Sequence, residues 1–361
     1  MELVERGARA PVPEPGRAPA FIITIDTEGD NAWARPATDT TRNSAYLPRF
    51  QELCEAYGLK PTYLTNYEMA RCPTFRALAR DALARGAGEV GMHLHAWSSP
   101  PLSAPLTAAD RQHQPFLVEY PEPVMREKVR VMTATLEDTF GVKMVSHRAG
   151  RWSFDHRYAA ILIDEGYRVD CSVTPLVSWR GTRGDPAGRG GTDYTRFPRD
   201  AYWMDASDVS RPGDSPLLEV PMTVVPGPAT AARRAVRALE ALRRRPLVAA
   251  ATGPLRRALD RVSPPVRWLR PNGSNRREML DIVRQVLAER RGHAEFMLHS
   301  SELMPGGSPT FRTDAQVEAL YGDLRALFDA VRQARFVPAT LAEFHASVAA
   351  SAGARAGAPD A

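Results

Sequence analysis

The stretch FIITIDTE at residues 21–28 decides the fold that the sequence predicts. It begins as an apolar run of the kind that fills a buried strand, and it ends in the two acids Asp26 and Glu28. Successive residues of a strand point to opposite faces of the sheet, so both carboxylates share one face. We therefore expect a buried strand that delivers two carboxylates to the edge of the sheet where it ends.

Two later strand-like runs end in histidine in the same way. The run EVGMHLH at residues 89–95 places His93 and His95 on one face, and the run EFMLH at residues 295–299 ends in His299. One carboxylate and two imidazoles form a ligand set that suits zinc or a similar divalent ion. The other acid and the other histidine are then available as base and acid, and this combination indicates a metal-dependent hydrolase.

Alternating strand and helix patterns fill most of the chain and predict its fold class. Helix-like runs stop at glycines, among them Gly58, Gly86 and Gly141, and a short strand-like run follows each one. Repeated units of this kind predict a parallel sheet covered by helices. Polar groups at the carboxyl ends of several different strands favour a (β/α) barrel over a doubly wound sheet, so the predicted class is α/β with a distorted barrel.

Composition divides the chain into one domain and two tails. Residues 1–18 and 351–361 are rich in small, proline and arginine residues and are predicted to be disordered. Residues 19–350 are predicted to form one domain, in which the regular pattern fails at about 175–285. We interpret that stretch as an irregular and partly helical insertion.

Charge, cysteine content and hydropathy exclude several classes of protein. The net charge of +5 over 361 residues is too small to indicate nucleic acid binding by itself. Three cysteines without CxxC spacing indicate neither a disulfide framework nor a zinc ribbon. The N-terminus has no apolar signal region, and no stretch reaches the roughly 18 apolar residues of a spanning helix, so we expect a cytoplasmic protein.

Arginine is concentrated in residues 233–270, which we call the Arg-rich segment. Its simplest interpretation is a solvated helical face. Its functional interpretations are attraction to anionic lipid headgroups at the inner face of the membrane or to a phosphate-bearing substrate, and a lipid-linked sugar satisfies both. No nucleic acid motif accompanies the arginines, so no nucleic acid partner is expected.

The strand-end motifs resemble those of the polysaccharide deacetylases with a NodB homology domain, a family of metal-dependent carbohydrate esterases and amidases. The segment TIDTE at residues 24–28 stands where the family has Thr-Phe-Asp-Asp. The resemblance assigns Asp26 as the base and makes Glu28 the substitute for the ligand aspartate, because Thr27 stands at the ligand position. It covers about residues 20–345 and implies a distorted barrel of the polysaccharide deacetylase type.

The later motifs of the family are matched in part. The second motif has two histidines separated by three residues, and EVGMH at residues 89–93 matches its first half. Trp97 stands where the second histidine is expected, and His95 is the nearest imidazole. Arg148 matches the arginine of the third motif, and His299 keeps the histidine of the Leu-x-His motif.

The resemblance implies a metal site and a set of catalytic residues. The implied ligands of a divalent ion, zinc in the first instance, are Glu28, His93 and His95. In the implied mechanism Asp26 is the base, Arg148 tethers it, and His299 protonates the leaving amine. Trp97 and Trp152 are expected to form a wall against the sugar ring.

Each of these residues also has an ordinary structural interpretation, such as a loop-starting acid, a helix-capping histidine or a core tryptophan. Taken together, the motifs predict a hydrolase that removes an N-acyl group, typically acetyl, from a sugar in cell-surface polysaccharide or glycolipid biosynthesis. One alternative is another amide hydrolase on the same fold, such as a deformylase or an amidase. A second alternative is an inactive relative that binds glycan or membrane, which the tryptophan at position 97 favours.

Overall fold

A curled sheet carries the fold. The computed structural model describes residues 18–30, 32–34, 39–102, 114–182, 184–185, 188, 190–228 and 264–356. Within them, nine strands form one mixed sheet that curls into a half-barrel, with helices packed against it. The predicted α/β class and the predicted distorted barrel are confirmed.

The strands of the described residues are numbered in chain order. They are β1 (Ala20–Thr27), β2 (Pro61–Thr65), β3 (Glu89–Leu94), β4 (Ser146–Ala149), β5 (Val169–Asp170), β6 (Tyr202–Trp203), β7 (Leu218–Glu219), β8 (Val224–Pro226), β9 (Val266–Trp268), β10 (His293–His299) and β11 (Val337–Ala339). The order across the main sheet is β10-β1-β2-β3-β4-β5-β7-β6, and β11 pairs with the first residues of β1. Neighbouring strands of this sheet are parallel except β6 with β7. Strands β8 and β9 form a separate antiparallel pair.

The helices follow the strands as the sequence predicts. They are α1 (Leu47–Ala56), α2 (Tyr67–Ala70), α3 (Pro73–Ala84), α4 (Glu122–Phe140), α5 (His156–Asp164), α6 (Arg276–Ala288), α7 (Asp314–Gln333) and α8 (Leu341–Ala356). Helix α4 ends at Gly141, whose φ of 72° lies in the left-handed region that glycine adopts without strain. Helix α7 begins at a capping box, in which the side chains of Thr313 and Gln316 each accept a hydrogen bond from the other's backbone N–H.

Strand β1 lies between β10 and β2 and is buried on both faces of the sheet. Phe21, Ile23 and Ile25 belong to one apolar cluster, whereas Ile22 belongs to another. The sequence of a strand that is buried on both faces is a nearly continuous apolar run, and the sequence of β1 follows this pattern. Strand β10 pairs with β1 along its length, and β2 also pairs with β1. The position of Asp26, the acid near the carboxyl end of β1, is therefore fixed by the core.

Part of the predicted insertion at 175–285 belongs to the main sheet. Strand β7 lies within this range and extends the sheet by pairing in parallel with β5. Both strands are only two residues long, too short to show a periodic pattern in the sequence. Residues 229–263 lie outside the described residues. They include most of the Arg-rich segment, so its predicted membrane contact stays a prediction.

The end of the chain differs from the sequence-based expectation. Helix α8 runs to Ala356, so residues 351–356 are helical where a disordered tail is predicted from 351. Alanine, the strongest helix former, is frequent there. The rest of the predicted tails, at 1–17 and 357–361, lies outside the described residues. Among the described helices, none combines the length and the apolar composition that a membrane crossing requires.

Candidate active site and metal centre

Strand pairing brings the predicted site residues together at one edge of the sheet. In the register of the sheet, Asp26 on β1 lies beside His299 on β10, and His93 on β3 lies beside Arg148 on β4. Because these strands are parallel, their carboxyl ends meet at the same edge, where active sites of parallel α/β barrels form. Asp26, His93 and His299, which are far apart in the sequence, therefore line one pocket, and Arg148 is fully buried next to Asp26.

Glu28, His93 and His95 form a group that fits a metal ion. All three residues are buried, and their ligand atoms lie within 4.8 Å of one another. The Nε2 atom of His95 lies 3.2 Å from Glu28 Oε2, and the Nε2 atom of His93 lies 3.7 Å from the same oxygen. Two imidazole nitrogens and one carboxylate oxygen are a donor set that zinc uses in catalytic sites, where a fourth position stays open.

The orientation of both imidazoles is fixed by neighbours outside the ligand group. The Nδ1 atom of His93 lies 3.0 Å from the carbonyl oxygen of Arg148, so a proton on Nδ1 is donated there and Nε2 faces the carboxylates. The ring of His95 stacks on Trp97 with a centroid distance of 4.3 Å. Burial, followed by the nearby His93, lowers the pKa of His95 to about 3, so this ring is neutral, as a metal ligand must be.

Asp26 is held in its ionised form beside this group. The Nη1 atom of Arg148 donates to Asp26 Oδ1 at 2.6 Å, and both side chains are buried. Burial alone would raise the pKa of Asp26, but Arg148, His93 and His299 together lower it far below the ordinary range. The second oxygen, Oδ2, lies 3.9 Å from His93 Nε2 and 3.8 Å from His299 Nε2. Asp26 is therefore ionised, and its Oδ2 atom faces both imidazoles across the pocket.

Arg148 is fixed by contacts that the sequence does not reveal. Its Nη2 atom donates to Thr24 Oγ1 at 2.8 Å and also to the carboxyl group of Glu295. Its Nε atom donates to the carbonyl oxygen of Cys171 at 3.2 Å. Burial raises the pKa of Glu295 to about 7. The fully buried guanidinium cannot be a surface ion pair, and its contacts hold the Asp26 carboxylate in one orientation.

His299 faces Asp26 across the pocket and has a carboxylate partner of its own. The Nδ1 atom of His299 lies 3.3 Å from Glu302 Oε2, which also accepts a hydrogen bond from the His299 backbone N–H at 2.8 Å. Burial raises the pKa of Glu302, but Arg270 and His299 lower it below the ordinary value, so the group is a carboxylate. Arg270 Nη2 also lies 3.3 Å from His299 Nδ1. These two neighbours hold the Nδ1 side of the ring and leave Nε2 directed at Asp26 Oδ2 and at Glu28 Oε1, which is 3.9 Å away.

Tryptophans form much of the wall of the pocket, whose volume is about 370 Å³. Trp97 and Trp152 are the two predicted from the sequence, and Trp33 and Trp179 are two that the sequence analysis missed. The edge of the Trp33 ring meets the ring of His299 at a centroid distance of 4.6 Å. Flat aromatic faces beside a polar centre are suited to a ring-shaped substrate with polar substituents.

Backbone strain is concentrated at the pocket wall after β4. Arg151 and Trp152 are consecutive non-glycine residues with positive φ, at 56° and 57°, and both line the pocket. A Cβ atom at Gly150 would lie 2.4 Å from the carbonyl oxygen of Leu94, so only glycine fits before them. Strain of about 1–3 kcal/mol per such residue is typically retained at functional sites.

This strain predicts the effect of Arg151→Gly. We expect the free energy of unfolding to rise by about 0.5–1 kcal/mol, because glycine adopts positive φ without a steric cost. Substrate affinity should fall at the same time, since a side chain is lost from the pocket wall. Denaturant unfolding and the KM of any substrate measure the two effects. Arg335→Gly, at an exposed residue with φ of 59°, is the matched control and should gain stability alone. A decrease of more than 1 kcal/mol in the free energy of unfolding of Arg151→Gly would contradict the presence of backbone strain at this residue.

Comparison with known proteins gives a fold and no sequence relative. No family model and no curated protein matches the chain. A solved structure of a candidate polysaccharide deacetylase from Mycobacterium smegmatis matches with a TM-score of 0.51 and 15% sequence identity, covering 98% of this chain and 96% of that chain. A candidate glycoside hydrolase/deacetylase from Parabacteroides distasonis matches with a TM-score of 0.56 and 8% identity, covering 91% of this chain and 71% of that chain.

The chain has the polysaccharide deacetylase fold. At these sequence identities the likeness concerns the fold alone, because one fold hosts many activities. The chemistry must therefore be argued from the residues that this chain places in its own pocket.

Proposed function

We propose that this protein is a metal-dependent hydrolase that removes an N-acetyl group from an amino sugar. One observation carries the proposal: the metal-ligand group of Glu28, His93 and His95 lies in the same pocket as the Asp26 carboxylate and the His299 imidazole. Amide hydrolysis needs a polarised carbonyl, an activated water molecule and a proton for the leaving amine. The pocket offers a residue or a residue group for each of these needs.

Glu28, His93 and His95 would hold the divalent ion, which would polarise the acyl carbonyl and lower the pKa of a water molecule towards about 7. The chain's own contribution at this point is orientation. The backbone carbonyl of Arg148 fixes the ring of His93, and Trp97 supports the ring of His95. Zinc is the first candidate because two of the three donors are imidazoles.

Asp26 would take the proton from the attacking water. Its carboxylate is ionised because Arg148 and two imidazoles stabilise the charge, and its Oδ2 atom points towards the nitrogens of His93 and His299. Its Oδ1 atom is occupied by Arg148, which leaves Oδ2 to accept the proton. Its place outside the ligand group, with one oxygen left to face the pocket, is what suits Asp26 to the role of base.

His299 would donate a proton to the leaving nitrogen. Glu302 and Arg270 both contact its Nδ1 atom, so the Nε2 atom that faces the pocket is the one that can exchange a proton there. The Trp33 ring packs against the same imidazole and limits its movement. A base and an acid are then present on two neighbouring strands, β1 and β10.

The shape of the pocket supports a sugar over a small acylated amine. A volume of about 370 Å³ exceeds what a formyl group on a small amine needs, and tryptophans line its walls. The geometry also favours an active enzyme over an inactive binding protein, because His95 supplies a nitrogen to the ligand group. The residue at the expected ligand position, Trp97, stacks behind that imidazole.

A hydrolysis assay with purified protein tests the proposal. The protein is stripped with a chelator, reconstituted with zinc and incubated with the N-acetylated forms of glucosamine, galactosamine and mannosamine, free and as short oligomers. We expect zinc-dependent release of acetate and free amine in equal amounts. Glu28→Gln should lose this activity, whereas Glu52→Gln, on an exposed position of α1, should keep it. A folded, zinc-loaded protein that releases acetate from none of these compounds would contradict the proposal.

His299→Ala tests the assignment of the general acid. We expect hydrolysis of an N-acetyl sugar to fall by about 10²–10⁴-fold, because an amine is a poor leaving group without a proton. Hydrolysis of 4-nitrophenyl acetate should fall by less than about 10-fold, because nitrophenolate leaves readily without one. The ratio of the two kcat/KM losses is the measurement. Equal losses on both substrates would indicate oxyanion stabilisation or a structural role instead.

A further inference from the structure

The pocket has an acidic corner that the proposed chemistry does not use. It is formed by Asp39 and Glu68, which both line the pocket and both approach Gly29, the residue after the ligand Glu28. A Cβ atom built on Gly29 would lie 3.3 Å from Glu68 Oε1 and 3.5 Å from Asp39 Cβ. The corner therefore lies directly beside the metal-ligand group and within reach of the same substrate.

One oxygen of Glu68 is fixed by the protein. The Oε1 atom accepts a hydrogen bond from the backbone N–H of Gly29 at 3.4 Å and another from the side-chain amide of Asn66. Asn66 is itself fixed, because its Oδ1 atom caps helix α2 by accepting from the N–H of Met69 at 3.2 Å. The carboxyl group is thus held in one orientation before any ligand arrives.

The other oxygen of Glu68 is unsatisfied. The Oε2 atom is buried and accepts no hydrogen bond from any residue that the structure describes. Buried polar atoms are nearly always hydrogen-bonded, so an exception in a pocket wall indicates a partner that arrives with the ligand. A fixed carboxyl group in the pocket wall with one unpaired oxygen is suited to a hydrogen-bond donor on the substrate.

The electrostatics of the corner favour a neutral donor. Burial raises the pKa of Glu68 to about 7, and Asp39 and Glu28 add to this effect by repulsion. The carboxyl group is then present in both protonation states near neutral pH. A hydroxyl group can donate to the ionised form and accept from the protonated form, so it pairs with either.

We propose that Glu68 is a substrate-binding residue that hydrogen-bonds a ring hydroxyl of the amino sugar and so selects sugars over acylated amines without hydroxyls. This inference rests on the proposed function for the class of substrate. It adds a specificity residue on α2, a part of the chain that carries none of the metal ligands or catalytic residues.

A binding experiment on zinc-free protein tests Glu68 without relying on hydrolysis. The probes are the three free N-acetylhexosamines and N-cyclohexylacetamide, which keeps the ring and the acetamide but has no hydroxyl. Dissociation constants are measured by NMR titration of wild type, Glu68→Met, Glu68→Gln and the exposed control Glu52→Gln. Thermal unfolding of each variant verifies that it is folded.

We expect wild type and Glu52→Gln to bind at least one hexosamine about 10-fold or more tightly than N-cyclohexylacetamide. In Glu68→Met the hexosamine should bind about 10–100-fold more weakly than in wild type, while the cyclohexyl compound changes less than about 2-fold. Glu68→Gln, which keeps a polar group there, should lose less than Glu68→Met. If Glu68→Met does not fold, Glu68→Gln alone tests the inference. We then expect Glu68→Gln to bind the hexosamine more weakly than wild type does and to bind N-cyclohexylacetamide equally well.

Two outcomes would overturn this inference. One is a wild type with no preference for any hexosamine over N-cyclohexylacetamide, and the other is a Glu68 variant that weakens both probes equally or neither. Zinc-dependent acetate release together with unchanged hexosamine binding in the Glu68 variants would overturn the Glu68 assignment and leave the proposed function standing. Loss of hexosamine binding in the Glu68 variants, together with no acetate release by the zinc-loaded wild type, would overturn the proposed function and leave the Glu68 assignment standing.

Discussion

His93→Ala is expected to abolish zinc retention and hydrolysis together while the fold stays intact. The residue offers one of three buried donor atoms that lie within 4.8 Å of one another, and a site reduced to two protein ligands holds its ion poorly. The zinc content should fall from about one equivalent per chain to near zero after gel filtration. Acetate release should fall below detection in buffer without added zinc.

The control for this variant is a histidine outside the pocket. His345 is half-buried, and its ring contacts Trp203 at a centroid distance of 5.3 Å, so His345→Ala removes an imidazole without touching the ligand group. It should keep the zinc content and the activity of wild type. Full activity of His93→Ala in metal-depleted buffer would contradict the metal-dependent mechanism.

Asp26→Asn is expected to lower the rate of hydrolysis without lowering the zinc content, and so to distinguish a base from a metal ligand. The amide keeps the shape of the carboxylate but cannot accept the proton from water, so kcat should fall by about 10²–10⁴-fold. The zinc content should stay near that of wild type, because Asp26 lies outside the group of Glu28, His93 and His95. Single-turnover kinetics and elemental analysis of the same preparation measure both quantities.

The contacts of Arg148 and a matched control variant allow the result for Asp26→Asn to be assigned to the loss of the base. Arg148 also donates to Thr24 and to Glu295, so the guanidinium stays fixed when it loses its charged partner. Asp81→Asn, on the exposed face of α3, is the matched control and should change neither quantity. Loss of zinc from Asp26→Asn would make Asp26 a ligand, and the base would have to be another residue.

The sequence predicts the strand ends well because alternation along a strand is local information. Asp26 with Glu28, and His93 with His95, are two residues apart, so a strand places each pair on one face whatever the rest of the fold does. The parallel order of the strands then brings the pairs to one edge, as the register of Asp26 with His299 shows. Only the extended conformation and the parallel sheet had to be predicted.

The supporting contacts were not predictable because they join distant parts of the chain. Arg148 and Glu295 are 147 residues apart, and no local pattern marks a partner at that separation. Trp33 reaches the pocket from a three-residue 3-10 helix (Ala32–Ala34) and Trp179 from a loop, and the course of such connecting segments depends on packing. Glu302 is different: it lies three residues after His299 and forms a capping box with it, a signal that the sequence analysis missed.

The central claim is that Glu28, His93 and His95 form one metal centre, and zinc K-edge X-ray absorption tests it most directly. Wild type reconstituted with zinc should bind about one equivalent, with two imidazole nitrogens at about 2.0–2.1 Å and oxygen donors completing the shell. His95→Ala, the variant that tests the unusual two-residue spacing, should show one imidazole and a weaker affinity. A wild type that binds no zinc, or an unchanged imidazole count in His95→Ala, would contradict the claim.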